Sequence, residues 1–365
     1  MKELNISKIL LNKRREKGVT QDDVAEYIGV SKAAVSKWEK GISYPDITFL
    51  PQLATYFHIT IDELMGYEPQ LPEREIQKKY REFSAMFAEK PFFEVMDEVR
   101  ELIRKYDACY PLLFAMAQLY LNNFVLLSSQ EEKRMVLREG QALCRRIAVE
   151  CPDALLKKDA LIMEAFLYMQ DGQPKKVLEL LGTKVRPSLP EDQFIACAYQ
   201  MLGDSQKAME YLQVTLYTGI IEQMDCMSMY YSLASEEKKE ACARRVKKYI
   251  EAFSMDKLVP HKIVGFYFAE ALNAIKLGKL DEAIASLELY VETLEQHLPD
   301  FTIHGDSFFY AIDDWLGANG MNHQMPRDMR LIKQDLIKSV TENPAFQDIK
   351  ENQKFRALVK RLEAI

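Results

Sequence analysis

The stretch Thr20–Gly41, "TQDDVAEYIGVSKAAVSKWEKG", decides the fold of the first part of the chain. Thr20 can cap the first amides of a short helix, and Gly29 can take the left-handed conformation that ends it. Ser31 can cap a second helix, which ends at Gly41. The stretch therefore predicts two short helices joined by a tight turn.

The small and apolar residues of this stretch predict how the two helices pack. Ala25 is small where two helices must cross closely, Gly29 forms the turn, and Val35 fills the core between the helices. This combination indicates a helix-turn-helix, whose second helix enters the major groove of DNA. Three lysines fall on that second helix, although the whole chain has a net charge of -7. Because the chain as a whole is acidic, a basic helix indicates a function that is confined to that helix.

The flanking sequence predicts three more helices, one before this stretch and two after it. Ten apolar residues recur at helical spacing and are predicted to face the core: Ile6, Ile9, Leu10, Ile47, Leu50, Leu53, Ala54, Phe57, Ile61 and Leu64. Five helices within about 66 residues resemble the phage-repressor/Cro type of DNA-binding domain, also called the XRE family. The resemblance covers Ile6–Gly66.

The resemblance implies a role for each matching position. Phosphate contacts are expected from Gln21 and Ser31. Base edges in the major groove are expected to meet Lys32, Ala33, Ser36 and Lys37. A lysine can donate to guanine and the methyl group of alanine can meet a thymine methyl, whereas Lys40 is expected on backbone phosphate. Arg14 and Glu39 match a structural pair that ties the first helix to the recognition helix, and Trp38 is expected to pack under the domain edge. The alternative for each lysine taken alone is an ordinary solvated side chain, and Lys40 fits that alternative better than Lys32 and Lys37 do.

Composition limits the classes of function. The six cysteines form no C-x-x-C pair and are expected to be buried and reduced, so we expect no metal site. No signal peptide or long apolar run is present, which predicts a cytoplasmic protein without membrane contact. No phosphate-binding loop or nucleophile motif occurs, so we expect neither a cofactor nor an enzymatic activity. The cluster His304, Asp306, Asp313, Asp314 and His323 fits no ligand spacing and is interpreted as a solvated face and loop.

A polar segment with two prolines, "GYEPQLPEREIQ", follows the first domain and predicts a linker. We therefore expect a DNA-binding domain over 1–66, a linker over 67–76 and a helical repeat domain over 77–365. The first 66 residues contain nine basic and nine acidic side chains, so the whole negative charge lies beyond them. The larger domain is accordingly not expected to bind nucleic acid.

Three glycines reveal a weak repeat in that larger domain: Gly172, Gly203 and Gly278. An alanine lies seven residues before each glycine, a small or β-branched residue five after it, and a leucine nine after it. This pattern resembles the tetratricopeptide repeat, of which "LGKLDEAIASL" is the clearest match. The predicted fold class is therefore all-α, with a five-helix repressor-type domain followed by an α-solenoid of tetratricopeptide-like helix pairs.

A DNA-binding domain joined to such repeats resembles the peptide-sensing regulators of Gram-positive bacteria, the PlcR, Rgg and PrgX group. The resemblance implies a sequence-specific transcriptional regulator that acts on double-stranded DNA with a pseudo-palindromic operator. It also implies a repeat domain that forms a homodimer and binds a short signalling peptide in its concave groove. The alternative is a DNA-binding regulator whose repeats serve only dimerisation or protein-partner binding, with no small ligand.

The repeat register places twelve residues on the predicted concave groove. They are Ile162, Phe166, Met169, Gln170, Gln193, Cys197, Gln200, Met201, Phe268, Leu272, Ile275 and Lys276. Apolar side chains interspersed with amides suit a hydrophobic peptide whose backbone is held by side-chain amides. In a tightly wound array, however, the same positions would belong to the core.

Overall fold

The computed structural model describes residues 5–66, 70–184, 191–298, 303–318 and 327–365. These ranges form α-helices, short 3-10 segments and the loops between them, and contain no strand. The predicted all-α fold class is confirmed.

The helix-turn-helix stretch lies in a five-helix domain with its own hydrophobic core. The helices are α1 (Ile6–Lys17), α2 (Gln21–Ile28), α3 (Lys32–Glu39), α4 (Leu50–Phe57) and α5 (Ile61–Met65). The core includes Leu10, Val24, Val35, Leu53 and Leu64, all of them fully buried.

The predicted helix ends are confirmed. Thr20 accepts a hydrogen bond from the amide of Asp23, whose carboxylate accepts one from the Thr20 amide. This reciprocal capping box satisfies two donors that the helix itself leaves unpaired. Gly29 ends α2 with φ +79°, a conformation that glycine adopts without steric cost.

Two of the ten predicted core residues are exposed. Ile47 is 77% exposed because Asp46 caps a separate 3-10 turn, so that α4 begins only at Leu50. Phe49 packs there instead, with its ring centroid 6.0 Å from that of Trp38. Ile61 is 39% exposed since it is the first residue of a five-residue helix and has few neighbours.

The remainder of the chain consists of helices of varied length. They are α6 (Glu73–Met86), α7 (Phe92–Lys105), α8 (Tyr110–Asn123), α9 (Gln130–Glu150), α10 (Ala154–Gln170), α11 (Pro174–Leu181), α12 (Glu191–Met201), α13 (Ser205–Leu233), α14 (Glu236–Ala252), α15 (Met255–Leu258), α16 (Pro260–Lys276), α17 (Leu280–His297), α18 (Ile312–Ala318), α19 (Met329–Thr341) and α20 (Gln353–Ala364).

The predicted linker over 67–76 extends too far toward the C-terminus. Helix α6 begins at Glu73, and the carbonyl of Pro72 accepts the amides of Glu75 and Ile76. A proline can precede a helix because its carbonyl still accepts, and the two glutamates suit a helix start. Residues 67–69 lie outside the described ranges.

The chain divides into two compact units. One comprises Met1–Tyr80, Phe92–Leu121 and Leu127–Pro174, and the other comprises Arg81–Pro91, Asn122–Leu126 and Lys175–Ile365. The division into domains at 66 and 77 stays a prediction.

Helix hairpins are the repeating element within these units. Helices α9 and α10 pack together in the first unit, whereas α12 packs on α13 and α16 packs on α17 in the second. The turn glycines Gly172, Gly203 and Gly278 all have φ between +70° and +84°. The alanines seven residues before them are buried, as predicted for positions where helices cross.

Helix α13 is 29 residues long, because no proline interrupts Ser205–Leu233, and α14 follows it. A 3-10 segment, Pro344–Ile349, precedes α20. One detail differs from expectation. Cys197 and Cys226 are exposed, because they lie on outward-facing sides of α12 and α13, whereas the other four cysteines are buried.

Candidate nucleic-acid interface

Helix α3 has one buried and one exposed face. Ser31 begins it, with its hydroxyl accepting the amide of Ala34 at 3.3 Å. Val35 and Trp38 point into the domain core. The opposite face carries the residues predicted to meet DNA: Lys32, Ala33 and Lys37, which are exposed, and Ser36, which is half-buried.

A network of three polar side chains fixes α3 against its neighbours. Arg14 of α1 donates to both carboxylate oxygens of Glu39, at 2.5 and 3.0 Å. Gln21 at the start of α2 donates to the same carboxylate at 2.8 Å. A further donor of Arg14 reaches the carbonyl of Val19 at 2.9 Å. The first three helices are therefore joined at one carboxylate, and bidentate geometry makes the pair directional.

Electrostatics keep this carboxylate ionised. Burial by itself would raise the pKa of Glu39, but the hydrogen bonds from Arg14 and Gln21 and the charges of Arg14 and Arg15 outweigh it, so the pKa is lowered. The hydrogen bond to Glu39 in turn raises the pKa of Arg14. Both groups of this ion pair therefore stay charged at neutral pH.

The lysines of α3 differ in their surroundings. Lys32 forms an ion pair with Asp22 at 2.6 Å, and both side chains are largely exposed. Exposed pairs of this kind contribute little stability, so a stronger acceptor can replace the aspartate. Lys37 and Lys40 are exposed and form no ion pair with another described residue.

Sequence reasoning missed two features of this surface. Gln21 was singled out for phosphate contact, and its amide group is held by Glu39 at the helix junction. Tyr44, in the loop after α3, is 55% exposed and was not singled out. A tyrosine hydroxyl beside a recognition helix can donate to phosphate. The preceding glycine Gly41 is the available signal, since its φ of +71° ends the helix just before Tyr44.

The predicted groove residues have unequal exposure. On α10, Ile162, Phe166, Met169 and Gln170 are exposed; on α12, Gln193, Cys197, Gln200 and Met201 are exposed as well. On α16 only Lys276 is exposed, whereas Phe268, Leu272 and Ile275 pack against the hydrophobic core. The ring of Phe268 lies 5.8 Å from that of Tyr290 and 5.9 Å from that of Phe346. For these three α16 residues, the structure agrees with the interpretation as core.

The acidic stretch around α18 forms a turn. The carboxylate of Asp306 accepts the amides of Phe308 and Phe309, and that of Asp313 accepts the amide of Gly305 at 2.8 Å. His323 lies outside the described residues. The ranges that the structure describes contain no group of three potential metal ligands. Nor does any helix in those ranges have the length and apolar character needed to cross a membrane.

Comparison with known proteins agrees with the geometry of the first domain. Residues 10–64 match the helix-turn-helix family model. A stretch of 66 residues is 38% identical to the HTH-type transcriptional activator BcrR of Enterococcus faecalis. This match covers 18% of the present chain and 32% of that protein, so the chain spans about a third of its relative's length. No solved structure matches the chain.

The chain therefore carries an XRE-type helix-turn-helix domain. The matches concern this domain alone.

Proposed function

We propose that the protein is a sequence-specific DNA-binding transcriptional regulator. The observation that carries the proposal is the anchored helix α3, whose inner face is fixed by Glu39 and whose outer face presents Lys32, Ala33 and Lys37. A rigid helix with an exposed polar face is what major-groove recognition requires. The helix-turn-helix match and the similarity to a transcriptional activator support the same function.

The side chains divide into base-reading and backbone-contacting roles. Lys37 lies on the exposed face of α3, in its last turn, where it can donate to guanine. Lys40 follows the last helical residue, and we assign it to backbone phosphate. Gln21 and Ser31 begin α2 and α3, where helix amides add to the attraction of phosphate. We assign Ser36 and Ala33 to base edges beside Lys37.

The test compares Lys37→Ala with Lys40→Ala on a duplex selected from a random library with the wild-type protein. Lys37→Ala should cost about 1–3 kcal/mol on the selected site and relax the base preference. Lys40→Ala should weaken selected and random duplexes alike and lower the salt dependence. Lys175→Ala, an exposed lysine on α11, serves as the control. Equal losses for Lys37→Ala on both duplexes would contradict the assigned docking.

A second candidate function is peptide sensing by the helical repeats. The exposed apolar and amide side chains of α10 and α12 favour it, with Phe166 and Met169 in the first unit and Gln193, Gln200 and Met201 in the second. An amide offers both a donor and an acceptor to an extended peptide backbone. The alternative is that the repeats serve only a homodimer or a protein partner, in the cytoplasm and without any small ligand.

Thermal unfolding in the presence of fractionated peptides separates these candidates. A peptide that binds the folded state raises the melting temperature, by an amount that grows with the logarithm of the ratio of its concentration to the dissociation constant. Gln200→Ala should abolish that increase while DNA binding stays intact, and Gln206→Ala, another exposed glutamine, should preserve it. If no fraction raises the melting temperature of the wild type, the repeats serve association alone.

A further inference from the structure

Helix α13 carries a stripe of largely exposed residues on a face that α14 borders. Its members follow one another at intervals of three and four residues over the whole helix: Met209, Leu212, Leu216, Gly219, Gln223, Cys226, Tyr230 and Leu233. Six of the eight are apolar side chains, and Leu233 is 84% exposed. This spacing is that of a seam between two packed helices. We call these eight residues the α13 stripe.

The structure of the second unit does not use this stripe. The buried residues of α13 are on an adjacent face and include Tyr217, Ile220, Met224 and Tyr231, which belong to the core. The helix thus has two apolar faces, one that packs inside the unit and one that is exposed. Contiguous exposed apolar surface of this kind marks an interaction site.

Gly219 supplies an independent observation. A glycine inside a helix costs about 1 kcal/mol relative to alanine. Apart from its own helix, no described part of the chain lies within 4 Å of the position where a Cβ would be, so packing within the chain does not require a glycine there. A second helix packed on this face would benefit from it, because the missing side chain leaves space for a side chain of the other helix.

An open pocket lies beside the second half of the stripe. It has a volume of about 570 Å³ and is lined by Cys226, Met227 and Tyr230 of α13 together with Lys238, Ala241, Cys242 and Arg245 of α14. Its lining is mostly apolar, so it can accept an apolar side chain from outside.

We propose that the occupant is the α13 stripe of a second copy of this chain, packed antiparallel about a two-fold axis near residue 221. In that arrangement each apolar member meets an apolar member of the partner, since Met209 pairs with Leu233, Leu212 with Tyr230, and Leu216 with Cys226. Gly219 then lies opposite Gln223 at the centre, where the small residue makes room for the larger one. The amide oxygen of Gln223 accepts a hydrogen bond from Tyr249 of α14 in the same chain, which fixes that side chain beside the axis. The pocket receives the partner's leucines beside Cys226 and Tyr230.

The size of the stripe agrees with this partner. The 25 residues from Met209 to Leu233 extend for about 36 Å along the helix. Two helices in contact over that length bury on the order of 1,000 Å² in total, which is the lower range of specific interfaces. Met201 and Leu202, at the turn before α13, add apolar surface next to the place where Leu233 of the second copy would lie. Such an isologous interface closes on itself and produces a dimer.

The inference deepens the proposed function, because one helix-turn-helix domain reads only half of a two-fold operator. The interface is nevertheless tested without DNA. Light scattering of the full chain at tens of micromolar should give a dimer for the wild type. Leu216→Glu places a charge near the axis and should raise the dissociation constant at least 100-fold, giving a monomer. Leu178→Glu, at a leucine of similar exposure on α11, should remain a dimer.

Cross-linking tests the direction of pairing. Leu216→Cys in a Cys197→Ser background should form a disulfide with Cys226 of the second copy under mild oxidation, visible as a dimer on a non-reducing gel. Leu212→Cys faces Tyr230 and should give little. Cys226 in the wild type should not cross-link to itself, because antiparallel pairing separates the two copies by about 15 Å along the axis.

Four outcomes contradict the proposal. They are a monomeric wild type, a dimer that survives Leu216→Glu, a Leu216→Cys variant that forms no cross-link, and a wild type that cross-links through Cys226, which indicates parallel pairing. Failure of the proposed function would look different. In that case the dimer would form and cross-link as described, while no duplex would be selected from the random library.

Discussion

Two helix hairpins of the second unit share one sequence pattern and differ in what covers them. Hairpin α12–α13 turns at Gly203 and hairpin α16–α17 turns at Gly278, with φ values of +84° and +71°. Both bury the alanine before the turn, Ala196 or Ala271. The leucine nine residues after the turn is 39% exposed in the first hairpin, as Leu212, and 1% exposed in the second, as Leu287.

The predicted groove positions show the same contrast. Met201 of α12 is 88% exposed, whereas Phe268 and Leu272 of α16 pack against the core. The segment Pro344–Ile349 packs on α16, and α20 packs on α17. The comparison teaches that a repeat motif determines the hairpin, whereas a distant segment determines whether its outer face is core or surface.

The largest expected effect comes from removing a buried side chain that packs against α16. Phe346 is fully buried, and its ring lies close to those of Phe268 and Phe355. Phe346→Ala should reduce the free energy of unfolding by about 3–5 kcal/mol, since a large core side chain leaves a cavity. Chemical denaturation, combined with hydrogen exchange of the α16 amides, measures this loss of stability. Phe194→Ala, at an exposed phenylalanine of α12, is the control. Similar losses for both would contradict the comparison.

The second prediction uses the matched leucines directly. Leu287→Ala should lower the free energy of unfolding by about 2–4 kcal/mol, because its side chain is fully buried. Leu212→Ala should lower it by less than about 1 kcal/mol, because much of that side chain is already in water. Urea denaturation of the two variants side by side provides the measurement. If Leu212→Ala costs as much as Leu287→Ala, the two hairpins are equally covered in solution.

The third prediction concerns the feature that the hairpins share. Gly203→Ala and Gly278→Ala should each cost about 1 kcal/mol, since both positions have positive φ and no described atom within 4 Å of a new Cβ. The strain is confined to the backbone and does not depend on what covers the helices. Thermal unfolding of both variants should therefore give nearly equal shifts, and a large difference would show that packing contributes to the turn.

The smallest expected effect is a dependence on pH in the covered hairpin. Glu270 lies eight residues before Gly278, where α12 has Ile195. Burial raises the pKa of Glu270 above its ordinary value of 4.5, and the nearby Lys247 only partly opposes this. An acid with a raised pKa in the folded state favours folding while it is protonated, so its contribution is lost as the pH rises through that raised value.

We expect Glu270→Gln to flatten the decline in stability as the pH rises from 4.5 to 7. Denaturation at several pH values compares it with the wild type. Glu240→Gln, at an exposed glutamate of α14, should keep the wild-type slope. An unchanged slope in Glu270→Gln would show that Lys247 compensates fully for the buried charge.

The first domain was largely predictable from the sequence because its determinants are local. Capping by Thr20, the left-handed turn at Gly29 and the buried Val35 depend on residues within one or two turns of each other. The errors at Ile47 and Ile61 also have a local cause. Both lie at the start of a helical segment, where the helical period does not yet decide which side chains are enclosed.

The sequence by itself determined the all-α class, the helix-turn-helix and the hairpin turns, because periodicity and capping act over a few residues. Only the tertiary structure decided that Phe268 is core, that Met201 is surface, and that the stripe of α13 from Met209 to Leu233 is largely exposed. Burial of these faces depends on segments far away in the chain, such as Phe346 78 residues after Phe268. A local pattern shows that a face is apolar, but contact with another segment is what removes that face from water.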